Sequence, residues 1–168
     1  IPESEPTEKV KAFASSGFFT VRDSWEDQAN ALFIDCGEHG FLNGGHAHAD
    51  ALHFVLSVDG LPVFVDAGTY NYTSDPKARE LFRSTAAHNC LTVNGESSSI
   101  PNGPFSWKRS VAAKLLEWSN NADGVIFRGS HDGFDRFGVI YEREIRFNRG
   151  DIIVNDIIKS NSLNCYDL

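Results

Sequence analysis

His46 and His48 stand two residues apart in the run Asn43-Gly44-Gly45-His46-Ala47-His48-Ala49-Asp50. In extended backbone, residues i and i+2 project from the same face, so both imidazoles can reach one site. Neutral imidazole is the commonest metal ligand, and two histidines with a carboxylate and an open position compose a catalytic or structural zinc site. Gly44 and Gly45 permit a tight backbone path into the pair. A pair of surface histidines is the plainer reading of the same residues. Asp66 closes the apolar run Val63-Phe64-Val65. A carboxylate at the end of a buried strand needs a partner, although a turn aspartate fits the same place. His88, in Arg83-Ser84-Thr85-Ala86-Ala87-His88-Asn89, is a third candidate. A lone histidine at a strand entrance is more often structural than a ligand.

Whether Asp66 can join the histidines depends on register. Strands over 52–58 and 61–66 are linked through Asp59-Gly60. A two-residue loop sets Val58 against Leu61 and Asp66 opposite His53, on the other face from His48 unless a bulge intervenes. A three-residue loop, Val58-Asp59-Gly60 with Gly60 left-handed, sets Ser57 against Leu61. Asp66 then lies opposite Leu52, on the face of His46 and His48. One residue of slip flips every side chain. A shared metal site selects the second register, and amphipathicity prefers the first.

The elements around these residues are short strands. Segments 18–22, 31–36, 52–58, 63–65, 89–93, 111–118, 125–128, 139–147 and 152–158 are rich in β-branched and aromatic residues and are punctuated by Gly, Asn and Asp. Val139, Tyr141, Ile145 and Phe147 share one face, and Glu142, Glu144 and Arg146 share the other, as in a half-buried antiparallel strand. Asn148-Arg149-Gly150 turns that strand into the next. One short helix is predicted over Pro76–Phe82, with Ser74 or Asp75 as cap and Pro76 in the first turn. Many short strands and almost no helix predict an all-β fold, an antiparallel β-sandwich of two packed sheets. Residues 1–16 read as a linker or N-terminal extension and 17–168 as the sandwich domain, with the polar stretch 1–11 a frayed end.

At 168 residues, 41 % hydrophobic, the chain suits one well-cored domain. No apolar run is long enough to span a bilayer. A net charge of −8 argues against nucleic acid, whose phosphates require a cationic surface. Local cations, Lys77, Arg79 and Arg83 or Lys108 and Arg109, could still meet a polyanionic sugar, because repulsion is screened beyond about 10 Å. Cys36, Cys90 and Cys165 form no C-x-x-C pair and read as buried free thiols. A chain that starts at Ile1, with no Met, reads as an excised portion of a larger protein.

Three stretches together, Gly45-His46-Ala47-His48-Ala49-Asp50-Ala51, Val65-Asp66-Ala67-Gly68-Thr69-Tyr70 and Arg83-Ser84-Thr85-Ala86-Ala87-His88-Asn89, resemble the C-terminal sheet domain of heparinase II/III-like polysaccharide lyases, a group similar to alginate and oligoalginate lyases. The resemblance covers roughly 17–158. It implies β-elimination on an acidic, uronic-acid-containing polysaccharide, heparin-, heparan- or alginate-like. It implies a metal, usually Zn2+, held by His48, Asp66 and His88. His46 would lie in the cleft and assist proton transfer or neutralise the substrate carboxylate. Tyr72 would contact sugar in the cleft as the second catalytic residue. Tyr70, the alternative to Tyr72, and Arg83 are expected to bind substrate. Family members take a tyrosine base and an Asn/His neutraliser from an N-terminal α-helical toroid. That domain is the expected partner, and without it this portion is expected to be inactive. A periplasmic or secreted location is expected.

Two rival readings stay open. A non-catalytic carbohydrate-binding sandwich would stack sugars on aromatics such as Trp25, Trp107 and Phe105. A cupin-like metalloenzyme also places an H-x-H pair on a β-scaffold, but usually adds a glutamate where this chain has Asp50.

Overall fold

The structure is a computed structural model and describes residues 6–148, 151–160 and 166–168. Strands β1 (Val10–Phe13), β2 (Phe18–Arg22), β3 (Ala31–Asp35), β4 (Phe54–Val58) and β5 (Leu61–Phe64) form a five-stranded antiparallel meander in chain order. Helix α1 (Pro76–Phe82) and a 3-10 turn at Thr85–Ala87 follow, then a two-stranded ribbon of β6 (Ile100–Pro101) and β7 (Trp107–Arg109). Strands β8 (Lys114–Asn121), β9 (Gly124–His131), β10 (Val139–Asn148) and β11 (Asp151–Ser160) make the second, four-stranded antiparallel sheet. No described helix is long and apolar enough to cross a membrane.

The two large sheets pack face to face. Phe19, Val21, Leu32 and Ile34 of the first meet Val125, Phe127, Tyr141, Ile145 and Phe147 of the second in one core. The Phe19 ring lies 5.3 Å from Phe127 and 4.8 Å from Trp118, centroid to centroid. The alternation expected in 139–147 is observed except that Glu142, on the polar face, is buried beside Lys159 and Arg128; the apolar face buries one further residue. Arg143 has the parity of Tyr141 and Ile145, so its guanidinium enters the interior. There it pairs with Asp156, its cross-strand neighbour on β11, through Nε–Oδ1 at 2.7 Å and Nη2–Oδ2 at 2.9 Å. Tyr141 donates to the same carboxylate at 2.7 Å. Arg143 Nη1 crosses to the other layer and donates to the carbonyls of Leu52, at 2.8 Å, and Asn89.

Helix α1 spans the predicted residues, and Asp75 caps it by accepting the Lys77 and Ala78 N–H groups. Elsewhere the elements depart from expectation for identifiable reasons. Part of the segment expected as linker pairs with β2 as β1. Strand β4 starts two residues late because Leu52 is left-handed, at φ 66°. Residues 89–93 form no strand, only a bridge between Val93 and Glu96. The Asn89 backbone is committed elsewhere, its N–H to His53 and its carbonyl to Arg143. Strand β8 begins at Lys114 rather than at 111, and the ribbon strands β6 and β7 were not expected. Cys36 and Cys90 are free, and burial pushes both thiols up to about 12. Cys165, Arg149 and Gly150 lie outside the described residues, although Asn148 and Asp151 pair on either side of the expected turn.

Removing Asp156 leaves the buried Arg143 charge uncompensated; a fully buried pair would lose about 3–5 kcal/mol, and the partial exposure of this carboxylate makes that an upper bound. Asp156→Ala is therefore expected to lower the unfolding free energy by about 1–3 kcal/mol in urea titrations. A loss below about 1 kcal/mol, the range of an exposed pair, would mean that Arg143 is not held as described.

Candidate metal centre and adjoining cleft

The loop between β4 and β5 settles the register. Val58 faces Leu61 across Asp59-Gly60, both with positive φ, so the turn has two residues. The pairing then shifts between Ser57–Pro62 and Leu56–Phe64, which leaves Val63 as a bulge. The extra residue re-aims the side chains beyond it. The shorter loop and the approach of Asp66 to the histidines thus coexist.

Asn89 organises the cluster. Its side-chain amide donates to the carbonyls of Phe54, at 2.9 Å, and Val65, at 3.0 Å, and so ties the start of β4 to the chain beyond β5. Its backbone N–H donates to His53 Nδ1 at 3.0 Å. His88, one residue earlier, is thereby set between the segments that carry His53 and Asp66. Thr85 Oγ1 donates to the Ala49 carbonyl at 2.6 Å, and the Ala49 N–H to the Arg83 carbonyl at 2.8 Å, which docks the H-x-H segment against the same turn.

The ring nitrogens are ordered by donors and acceptors that cannot exchange roles. Arg79 only donates, and its Nη1 lies 3.4 Å from His48 Nε2. His48 therefore carries its proton on Nδ1, which faces His88 Nε2 at 3.0 Å. His88 Nδ1 donates to the Ser84 carbonyl at 2.7 Å, so its Nε2 accepts from His48 Nδ1–H, and a cation held between the two rings would take the place of that proton. A backbone carbonyl that fixes the far nitrogen is the usual outer support of a metal-binding histidine. Burial lowers the pKa of His48 to about 4, helped by His88 and Arg79, so its ring is neutral at pH 7. His53 is also lowered to about 4, by burial and then His88.

Two carboxylates border these nitrogens. Asp66 Oδ2 lies 3.6 Å from His88 Nε2 and 3.3 Å from His53 Nε2, while its Oδ1 takes the Gly68 N–H at 2.6 Å. Asp50, raised in pKa chiefly by burial, completes a set with His48 and His88 whose donor atoms all lie within 4.8 Å of one another. Ligand atoms about 2.0–2.1 Å from a tetrahedral zinc ion stand roughly 3.3 Å apart. The 3.0 Å and 3.6 Å separations bracket that value, so these residue types and spacings fit a divalent cation. Three of the residues were expected from the sequence. Asp50 and His53 were not assigned to the cluster, although Asp50 repeats the two-residue spacing that singled out the histidines.

His46 points elsewhere, against the expectation that both imidazoles reach one site, because residues 42–46 form a turn rather than extended backbone. Its exposed ring lies edge-on to Tyr72 at 5.4 Å and near Phe105 at 6.2 Å, and Tyr72 stacks on Phe105 at 5.9 Å. Gly44 allows this path: its φ is +63°, and a side chain there would meet the His39 carbonyl at 2.8 Å. Tyr70, also left-handed at φ 58°, is exposed and stacks on Phe82 at 5.0 Å. Arg83, expected to meet substrate, is buried instead. Its Nη2 donates to the Gly103 carbonyl at 2.7 Å and its Nη1 to that of Pro104 at 3.2 Å, so it holds the turn beneath the cleft. Trp107 is similarly occupied, with Nε1 on the Gly44 carbonyl and Arg83 over its face at 4.8 Å. Of the aromatics considered as sugar platforms, Phe105 is the one beside His46.

The antiparallel sandwich itself is a known fold. A heparinase III gene product superposes with a TM-score of 0.76 and 20 % identity, over 94 % of this chain and 23 % of that one. Heparan sulfate lyase HepC from Pedobacter heparinus superposes with a TM-score of 0.74 and 22 % identity, over 91 % and 22 %. At these identities the likeness shows the fold. In sequence, a heparin-sulfate lyase of Bacteroides stercoris is 32 % identical over 90 residues, 52 % of this chain and 13 % of that protein. A heparin-sulfate lyase of Pedobacter heparinus is 30 % identical over 114 residues, 66 % of this chain and 17 % of that protein. The chain thus spans a small part of the relatives' length. Residues 5–167 match the family described as heparinase II/III-like, C-terminal, and the chain belongs to that family.

An ion bound only by the folded state stabilises it, by about 2.7 kcal/mol at a hundredfold excess over Kd. Zinc is therefore expected to raise the melting temperature of this chain, and a chelator to reverse the rise. His48→Ala and His88→Ala should each remove the response. An unchanged melting curve on verified loading and stripping would exclude a stabilising ion here.

Proposed function

We propose that this chain is the β-sandwich part of a polysaccharide lyase that cleaves a uronic-acid-containing, heparan-type glycan by β-elimination. The observation that carries the reading is the division of labour in the H-x-H segment. His48 turns inward to His88 and the carboxylates, while His46 stays exposed against Tyr72 and Phe105. Family membership and the names of the relatives supply the reaction class.

Elimination removes the proton at C5 of a uronate, forms a C4–C5 double bond from that electron pair, and expels the oxygen at C4. The C5 proton is acidic enough only when the adjacent carboxylate is neutralised, and a positioned base must take it. The exposed imidazole of His46 can donate to that carboxylate or pass a proton to the departing oxygen. Tyr72 and Phe105 offer ring faces to a pyranose, and the Tyr72 hydroxyl adds a hydrogen-bonding group. Zinc, if bound by His48, His88 and Asp66 with Asp50 beside them, would supply positive charge and a clasp between loops. A helical domain of the same protein would supply the tyrosine base and the remaining neutralising groups, and a periplasmic or secreted setting fits such a substrate.

The test uses the full-length protein with heparan sulfate, tracking the ultraviolet absorbance of the conjugated C4–C5 double bond. Turnover should fall by about 10²-fold or more in His46→Ala, the range of a lost general acid–base group, with the melting temperature unchanged. This chain alone should show no turnover. A fully active His46→Ala enzyme, or strong activity from this chain alone, would contradict the reading.

A further inference from the structure

Behind Tyr72, between helix α1 and the turn at Gly103-Pro104, lies a cavity of about 130 Å³ whose lining includes Tyr72, Pro76, Arg79, Glu80, Arg83 and Pro104. A water molecule needs only about 10–15 Å³ of such space, so a substituent of several heavy atoms fits. Arg79 and Arg83 are each 1 % exposed, and their guanidinium groups converge on one acceptor. The Pro104 carbonyl receives Arg83 Nη1 at 3.2 Å and weaker contacts from Arg79 Nε and Nη2 at 3.4 Å and 3.5 Å. The other acceptors are neutral: the Gly103 carbonyl, Thr69 Oγ1 and the His48 ring. The nearest described carboxylate is Glu80, 3.9 Å from Arg83 and largely exposed. Arg83 Nε is buried with no partner.

Two buried cations sharing one carbonyl, without a buried anion, are an unbalanced arrangement, because a buried charge is stable only when paired. The arginine fork suits a two-oxygen partner. We propose that this cavity is an oxyanion subsite, which receives a carboxylate or sulfo substituent of the glycan one step removed from the group handled by His46. The assignment of the oxyanion to a glycan rests on the lyase reading. The pocket's affinity for an oxyanion does not. Tyr72 is the shared wall, since its ring centroid lies 5.4 Å from that of His46 and 5.2 Å from the Arg79 guanidinium. Glu80 competes with the incoming anion for Arg83.

The test titrates this chain with sodium sulfate and, separately, sodium glucuronate, each against sodium chloride at matched ionic strength. Tryptophan emission is the readout, because Arg83 lies over Trp107. At least one oxyanion should give a saturable change and a higher melting temperature where chloride does not. Sulfate alone would mark a sulfo subsite, and glucuronate a carboxylate subsite. Arg83→Met should abolish the response while keeping its β-sheet circular dichroism. Should that variant fail to fold, Glu80→Gln carries the test, since removal of an exposed competing charge should tighten binding about two- to fivefold. Titrations that match chloride for both oxyanions, or a Glu80→Gln affinity that is unchanged or weaker, would overturn the subsite. Neither result bears on elimination by the full-length protein, which the His46→Ala comparison tests separately.

Discussion

Arg143 leaves β10 on the apolar side and spends its donors on both layers of the sandwich. Two nitrogens grip Asp156 within its own sheet, and the third reaches the carbonyls of Leu52 and Asn89 across the interior. Those carbonyls belong to the residues that immediately precede His53 and follow His88. Leu52 is fully buried with φ at 66°, a conformation worth of order 1–3 kcal/mol of strain in a non-glycine residue. Such a residue persists only where its surroundings over-determine it, and the Arg143 bond to its carbonyl is one such determinant. Close packing transmits this constraint, so the histidine cluster inherits its geometry from an ion pair on the opposite sheet.

Above that strut the site divides into a dry side and a wet side. On the dry side, donor–acceptor order runs from Arg79 through His48 and His88 to the Ser84 carbonyl, with every proton assigned by a partner that can only give or only take. On the wet side, His46, Tyr72 and Phe105 offer an imidazole and two ring faces. The backbone that separates them is one residue, Ala47. Arg79 touches both sides, through the His48 ring and through the face of Tyr72. A net negative chain thus keeps two buried guanidinium groups, with no buried carboxylate paired to them among the described residues, beneath the cleft.

Much of this was legible in the sequence, and the losses have physical causes. Short strands and the helix at Pro76–Phe82 came from period and turn chemistry, and the pairing of His48 with His88 came from the family resemblance. The register of β4 and β5 was not decidable, because a two-residue turn succeeded by a bulge satisfies both turn chemistry and the approach of Asp66, and neither periodicity nor loop length reveals a bulge. The segment 89–93 has strand composition, but its backbone groups are captured by His53 and Arg143, which lie far away in sequence. Arg83 reads as a surface cation, and only the fold shows it buried over Trp107. Arg143 was the most readable omission: it shares the parity of Val139, Tyr141, Ile145 and Phe147, and a charge on the apolar face of a strand demands a buried partner.

A metal centre here requires side chains from three separate stretches to converge around one ion. X-ray absorption at the zinc edge, on this chain loaded with one equivalent, measures that directly. It should give a four-coordinate nitrogen and oxygen shell at about 2.0–2.1 Å, with the outer scattering of two imidazole rings, lost in part in His88→Ala. A six-coordinate shell of oxygens without imidazole scattering would place the ion elsewhere and contradict the site.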